Sequence, residues 1–494
     1  MSYMSVLKLL VPETVIVVTA LLVMFVDLTW IRESSLITRR RTGAFLATVG
    51  CVVAIWLLSL PVTASRLYDG ILVIDSLGQL MKQILLVLTI FTAWLVIESD
   101  FTRHVGEFFA LLLLATVGMM FLVSSENILV IFIALELLSL SLYVMTAFQK
   151  RSAFSAEAAL KYFLFGGMSA AFLLFGLSLV YGVSNSTSLS EIAAALKGKP
   201  LDPLLLMAIV MVATGLGFKV AAVPFHLWAP DAYEGAPGPA AAFIASGSKV
   251  ASFFVLAKVF MVGFAGAEGN AAWRQFSSGW MPLLAVIGLI SIVLGNLTAI
   301  AQKSVRRLLA YSAIAQAGYM LVGLLANNQD GLASLLYYVT TYALTTLGAF
   351  GVVTIVQERA GEERFTSFAG LYRRAPMLAF SMLIFLLSLA GIPPLAGFFG
   401  KFYLFTAALG GSRDLGLLWL VIVAVAMSAV SLYYYLLVLK QIYVMESPAG
   451  TPPLRAGLGA RFAVGFLALA VLVLGCLPGL LLNKFQTGLK ALGL

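Results

Sequence analysis

Apolar runs recur along this chain from one end to the other, separated by short polar breaks. A helix needs about 20 predominantly apolar residues to cross roughly 30 Å of hydrocarbon. Read between their polar breaks, the runs predict fourteen spans, near residues 5–28, 43–63, 76–97, 107–124, 127–148, 157–182, 203–226, 238–264, 280–300, 305–325, 331–357, 377–410, 415–444 and 462–483. The pattern is that of an all-α polytopic membrane protein. The 377–410 run is too long for one straight helix and contains Pro393 and Pro394, so it is expected to break; the 203–226 run, with Pro224 near its end, is expected to unwind too. The opening run, Val11 to Leu28, contains Glu13 and Asp27 and ends without a small-residue cleavage site, so it reads as a retained helix rather than a signal peptide.

Lys219 and Lys401 lie inside two of these runs, 182 residues apart, each beside Gly and Pro. Shifting the fourth, fifth and eighth spans by 182 brings them onto the ninth, tenth and thirteenth. Five helices then repeat as five. Because five is odd, the second copy enters from the opposite face, which makes an inverted-topology repeat. The expected division is three helices over 1–106, a first repeat over 107–264, a second over 280–444, and a last helix within 445–494.

Composition agrees with a membrane chain: 61% of the 494 residues are hydrophobic and 11% charged, against about 25% charged in a soluble domain. The net charge of +9 is read as membrane anchoring and not as a nucleic-acid surface. Loops on one side carry seventeen basic residues (Arg32, Arg39, Arg40, Arg41, Arg103, Lys150, Arg151, Lys303, Arg306, Arg307, Arg359, Arg364, Arg373, Arg374, Lys440, Arg455, Arg461). The other side, with both termini, carries eight (Lys8, Arg66, Lys197, Lys199, Arg274, Arg413, Lys484, Lys490). The positive-inside rule then puts the first loop in the cytoplasm and both termini outside. The two cysteines and two histidines are too few for an iron–sulfur cluster, haem or zinc site, and no glycine fingerprint for a dinucleotide appears.

Ionisable residues in mid-span are the candidate chemistry, because a charge in the bilayer costs about 2.5–3.5 kcal/mol on insertion scales and is retained for function by default. Glu136, with Ser139 and Tyr143 at i+3 and i+7, makes a polar stripe on an otherwise apolar helix. Lys219 follows GLG and precedes Pro224, where an unwound backbone can hold water beside it. Burial and a nearby carboxylate act on a lysine's charge in opposite senses, so such a residue can pass protons. Lys249 is central in its span between Ser246 and Ser252, which suit either a hydrated passage or close packing. Lys401 follows Pro393, Pro394, Gly397 and Gly400, and the shifted equivalent of Glu136 falls at Gly318, so no acidic partner is expected for it. Lys161 is either a path residue or an ordinary i, i+4 partner of Glu157. His226 is a candidate relay or a loop cap. Lys82 and Lys258 read as lysines that snorkel from span ends.

The segment GLGFKVAAVPFHLWAPDAYEGAPGPAAAFIASGSKVA resembles the signature of the antiporter-type proton-conducting membrane subunits, found in respiratory complex I (NADH–quinone oxidoreductase) and in multisubunit Na⁺/H⁺ antiporters. LVPETV, LELLSLSLYVM and PPLAGFFGKFYLF are similar to the complex I form of that family, and the resemblance covers nearly the whole chain. It implies fourteen helices with inverted repeats at helices 4–8 and 9–13. It also implies that Glu136 and Lys219 pair in a first half-channel, that Lys249 connects the halves, that Lys401 serves the second, and that Lys161 is a further path lysine. The chain ends soon after its fourteenth span, which argues against the largest subunit of the family, with its long lateral helix.

The chain is therefore expected to be a non-redox, proton-translocating subunit of a multi-pass assembly in the bacterial inner membrane. NADH, FMN, iron–sulfur clusters and quinone are expected in partner subunits, and no cofactor or metal in this chain. Expected partners are the other complex I membrane subunits, homologous antiporter-like ones included, together with the lipid bilayer and protons, and no nucleic acid. The alternatives are a subunit of a Na⁺/H⁺ antiporter or membrane-bound hydrogenase, and a non-conducting structural subunit, against which stand four central charges that assembly alone does not require.

Overall fold

A computed structural model describes residues 9–61, 64–198, 201–361, 363–410, 415–447, 453–454 and 456–491. The termini and four residues of the loop census (Lys8, Lys199, Arg413 and Arg455) lie outside them. Each apolar run forms a helix: α1 Val11–Thr29, α2 Leu36–Leu58, α3 Ser76–Val96, α4 Val105–Ser124, α5 Ile128–Thr146, α6 Ala153–Ser184, α7a Pro203–Val220 with α7b Trp228–Gly235, α8 Gly238–Gly263, α9 Trp280–Ile300, α10 Val305–Leu325, α11 Gln329–Ala360, α12a Pro376–Ala390 with α12b Ala396–Gly410, α13 Leu418–Tyr443 and α14 Leu458–Cys476. A two-stranded hairpin, β1 Ser65–Leu67 and β2 Leu72–Ile74, precedes α3.

The termini of these helices are set by side chains that can accept from free backbone amides. Asp75 caps α3, Asn127 α5, Ser152 α6, Asp202 α7a, Ser304 α10 and Asn328 α11. The spans of α8 and α11 are wholly buried and α10 almost so, which makes these three the core of the bundle. The outer helices α2, α6, α13 and α14 expose large apolar side chains such as Trp56, Leu164, Ile422 and Leu469, as a surface facing lipid or other apolar helices requires.

The repeat is visible in backbone packing. Gly118 of α4 lies against Ala134 O and Leu138 N of α5; Gly295 of α9 lies against Tyr311 O and Ala315 N of α10. Each of the three positions is displaced by 177, as are the caps Asn127 and Ser304, which sit in matching isolated bridges to Ser188 and Arg364. At the two helix breaks the displacement is 170: left-handed caps at Ala221 and Gly391, prolines at 224 and 394.

A shift of 182 therefore overstates the register, because it forces Lys219 onto Lys401. Lys219 stands before its break, in the last turn of α7a, whereas Lys401 stands after its break, in α12b. The unwinding also falls after Lys219, at 221–227, and not at the preceding GLG. A break not foreseen in the sequence interrupts α8 at Ser246 (φ −116°, ψ −82°), three residues before Lys249.

A Cβ at Gly295 would stand 2.6 Å from Ala315 N, a backbone atom that cannot move aside. Gly295→Val is expected to push α9 from α10 at a cost of about 1–3 kcal/mol. The measure is the amount of assembled complex surviving mild heating on a native gel; an unchanged amount would refute the close packing.

Candidate functional site

Lys219 is buried at the end of α7a and faces α5. Its Nζ donates to Ser139 Oγ at 2.5 Å and lies 3.9 Å from Glu136 Oε1. Ser139 in turn donates to Leu135 O. Tyr143, one turn further on, presents its ring 5.9 Å from the ammonium. The stripe read from i, i+3, i+7 spacing thus converges on one lysine, with the serine as the direct contact and the carboxylate behind it.

Lys249, 1% exposed, donates to Ala313 O of α10 at 2.8 Å and lies 5.8 Å from the Tyr342 ring. The flanking serines do not serve it as the sequence suggested. Ser246 donates to Ala242 O, the ordinary use of a serine inside an interrupted helix, and Ser252 makes no hydrogen bond to the ammonium.

Lys401 reaches back across its own break. Its Nζ donates to Leu389 O at 2.9 Å, Ala390 O at 3.3 Å and Ser428 Oγ at 2.9 Å, under the Tyr319 ring at 4.9 Å. Among the described residues no carboxylate comes within ion-pair distance of it. Gln316, one turn from Ala313 on α10, donates to the same Leu389 carbonyl at 3.1 Å and accepts from Tyr338 OH. One face of α10 therefore runs from the acceptor of Lys249 to the carbonyl that holds Lys401. Sequence reading missed this link, since Gln316 and the tyrosines carry no charge.

The remaining candidates divide. Lys161 bonds Glu157 at 2.6 Å, so the i, i+4 reading is right as far as it goes, but it also bonds Asp231 of α7b at 2.9 Å. His226 is buried in the segment after the α7a break; its carbonyl accepts from Ala229 N, and its Nδ1 has no partner among the described residues. It sits in the loop between α7a and α7b, and among the described residues no hydrogen bond or ion pair joins it to the four central residues.

Two lysines read as snorkelling are not. Lys82 lies well inside α3 and bonds Glu13 at 2.5 Å, with the side chains 6% and 2% exposed. Lys258 is largely buried and donates to Val123 O and Ser125 O, the free carbonyl end of α4, with Glu126 at 4.0 Å. The helical position of Glu13 in an apolar run was the signal for the first pair. Breaking a buried pair by removing one partner costs about 3–5 kcal/mol, whereas replacing both by apolar groups is often neutral. Lys82→Met is expected to lower the amount of assembled complex, and adding Glu13→Leu to restore it. Equal losses in the single and double variants would show that the pair does not stabilise the three-helix unit.

Residues 125–429 match the family model described as NADH:quinone oxidoreductase/Mrp antiporter, TM. The chain is 54% identical to NADH-quinone oxidoreductase subunit N 2 of Acidobacterium capsulatum, over 98% of this chain and 99% of that one. It is 41% identical to NADH-quinone oxidoreductase subunit N of Moorella thermoacetica, over 90% and 91%. Among solved structures, a chain of respiratory complex I from Thermus thermophilus aligns at TM-score 0.78 and 32% identity, covering 97% of this chain and all of that one. A chain of the Mrp complex from Dietzia aligns at 0.81 and 21%, over 96% of each, which shows a shared fold.

Proposed function

We propose a proton path for this chain, which belongs to the NADH:quinone oxidoreductase/Mrp antiporter membrane family and is a proton-translocating membrane subunit of an NADH–quinone oxidoreductase, of the subunit N type. The path runs from Glu136 and Lys219 to Lys249 and then to Lys401, with Lys161 at its loop-side approach and His226 as an accessory relay. It uses the units 107–264 and 280–444 as its two halves, flanked by the helices of 1–106 and 445–494. The chain itself performs no redox chemistry; NADH, FMN, iron–sulfur clusters and quinone belong to partner subunits. The other complex I membrane subunits, antiporter-like ones included, flank it in the bacterial inner membrane, with both termini on the outer side.

The observation that carries this reading is the shared Leu389 carbonyl, which joins Lys401 to Gln316 one turn from the acceptor of Lys249. Neutral acceptors at Lys249 and Lys401 can hold an ammonium or an amine, as a carrier requires, since an amine still has N–H groups to donate. Lys219 is the tunable member. Glu136 is not hydrogen-bonded to it, and a shift of the carboxylate by an ångström or two from 3.9 Å changes the Coulomb energy in a poorly screened interior. Quinone reduction elsewhere in the assembly would drive that shift, with release to the outer side beyond Lys401.

Lys219→Ala in the assembled enzyme is expected to abolish NADH-driven acidification of inverted membrane vesicles, a loss of about tenfold or more for removal of an essential carrier. Native-gel assembly is the control. Assembly intact with wild-type acidification would overturn the path.

A further inference from the structure

Asp231 lies outside the path through the four central residues, on α7b, and its two carboxylate oxygens are divided between the two halves of the molecule. Oδ2 accepts from Lys161 Nζ of α6 at 2.9 Å; Oδ1 accepts from Arg307 Nη1 in the first turn of α10 at 2.8 Å. Each cation holds a second carboxylate, Glu157 for Lys161 at 2.6 Å and Glu234 for Arg307 at 2.9 Å. The result is an unbroken row, Glu157–Lys161–Asp231–Arg307–Glu234, with Asp231 as its hinge. Arg306 fastens the far end of α7b to the same turn of α10, donating to Glu234 O at 3.1 Å and Ala236 O at 2.9 Å.

This row is tied mechanically to Lys219. Trp228 of α7b donates its indole N–H to Phe218 O at 3.0 Å, the residue before Lys219. Tyr162, next to Lys161, stacks on Trp228 at 4.2 Å between ring centroids and 4° between planes. A displacement of α7b therefore acts on the end of α7a and on α6 together. The repeat register adds an independent reason to single out Asp231. The displacement of 170 that superposes the two breaks carries position 231 onto 401, so the first half has an aspartate where the second has its buried lysine.

The pairs of the row are partly exposed, and exposed pairs contribute little to stability. Their value lies in position. A single carboxylate that holds one cation from each half cannot change its grip on one without changing its grip on the other.

Resting on the proton path from Lys219 to Lys401, we propose that Asp231 is a positioning residue that links the two halves. It sets Lys161 at the approach to the first half, and passes displacement of that lysine to Arg307 and the first turn of α10, the helix whose face joins Lys249 to Lys401.

The test is a double-mutant cycle on NADH-driven acidification by inverted vesicles containing the assembled enzyme, using Lys161→Ala, Arg307→Gln and the pair. Among the described residues, Asp231 is the one carboxylate that bonds both Lys161 and Arg307. The link therefore predicts that the double variant is little worse than the worse single one. Independent effects that multiply would overturn it. Asp231→Asn is expected to lower acidification about tenfold, as loss of charge-assisted hydrogen bonds does, with Asp231→Glu restoring at least half, a rescue that mere filling of space would not need. Wild-type acidification by Asp231→Asn would also overturn the link. Should Asp231→Asn fail to assemble, the cycle on Lys161 and Arg307 in the Asp231 chain still decides. Lys219→Ala serves as the separate control: its loss of acidification alongside a multiplicative cycle would leave the path standing and remove only the link.

Discussion

A helix can be broken inside a bilayer only where protein groups or enclosed water take up the backbone groups that the break releases. The breaks between α7a and α7b and between α12a and α12b meet that condition with protein groups, by different means. At the first, Phe218 O accepts from the Trp228 indole, Ala222 N returns to Gly217 O, and Val223 N donates to Ser291 of α9. At the second, Leu389 O and Ala390 O accept from the ammonium of Lys401, with Gln316 and Ser428 beside it. The first break is thus closed by neutral donors and leaves its lysine free to turn to α5. The second is closed by the lysine together with the neutral donors Gln316 and Ser428. Position of the lysine relative to the break decides between the two, and the rest of the charge arrangement depends on it.

The halves consequently share a backbone and differ in chemistry. Ser139, which receives Lys219, and Gln316, which donates to Leu389, occupy corresponding positions at the 177 displacement; Lys219 and Leu389 correspond at 170. The same contact between the fifth helix-turn and the helix break therefore recurs, with a charged side chain in one half and a carbonyl in the other. Lys401 brings its ammonium to that carbonyl from the far side of the break. Glu136 corresponds to Ala313, whose carbonyl holds Lys249. Where the first half has a carboxylate, the second has a backbone oxygen that accepts the lysine between them.

The apolar runs made the spans legible because length and hydrophobicity alone decide whether a segment crosses a bilayer. The Glu136 stripe was legible because helical periodicity puts i, i+3 and i+7 on one face. The register was not: evenly spaced helices align at many shifts, and connections of unequal length move the displacement between 170 and 177 within one repeat. Nor could periodicity disclose what approaches from elsewhere in the chain. Lys82 looked like a terminal lysine until Glu13 of α1 met it, and Asp231 was one polar residue in a motif until Lys161 and Arg307 converged on it. The tyrosines and Gln316 around Lys401 carry no charge, so a search for charges passed over them.

The buried lysines differ in a way that separates holding a fold from moving a charge. Lys82 meets a carboxylate directly at 2.5 Å, and an ion of such a pair cannot be neutralised without stranding its partner in a low-dielectric interior. Lys249 and Lys401 meet carbonyls and hydroxyls, whose acceptance does not depend on a full charge. Lys219 stands between, with a serine in contact and a carboxylate 3.9 Å away. Among the described residues it is the one central lysine with a carboxylate within ion-pair distance. On the proposed path, a chain of carriers needs such a member at the end where work is done on it, and neutral-acceptor members further along, so that the charge has no reason to stop.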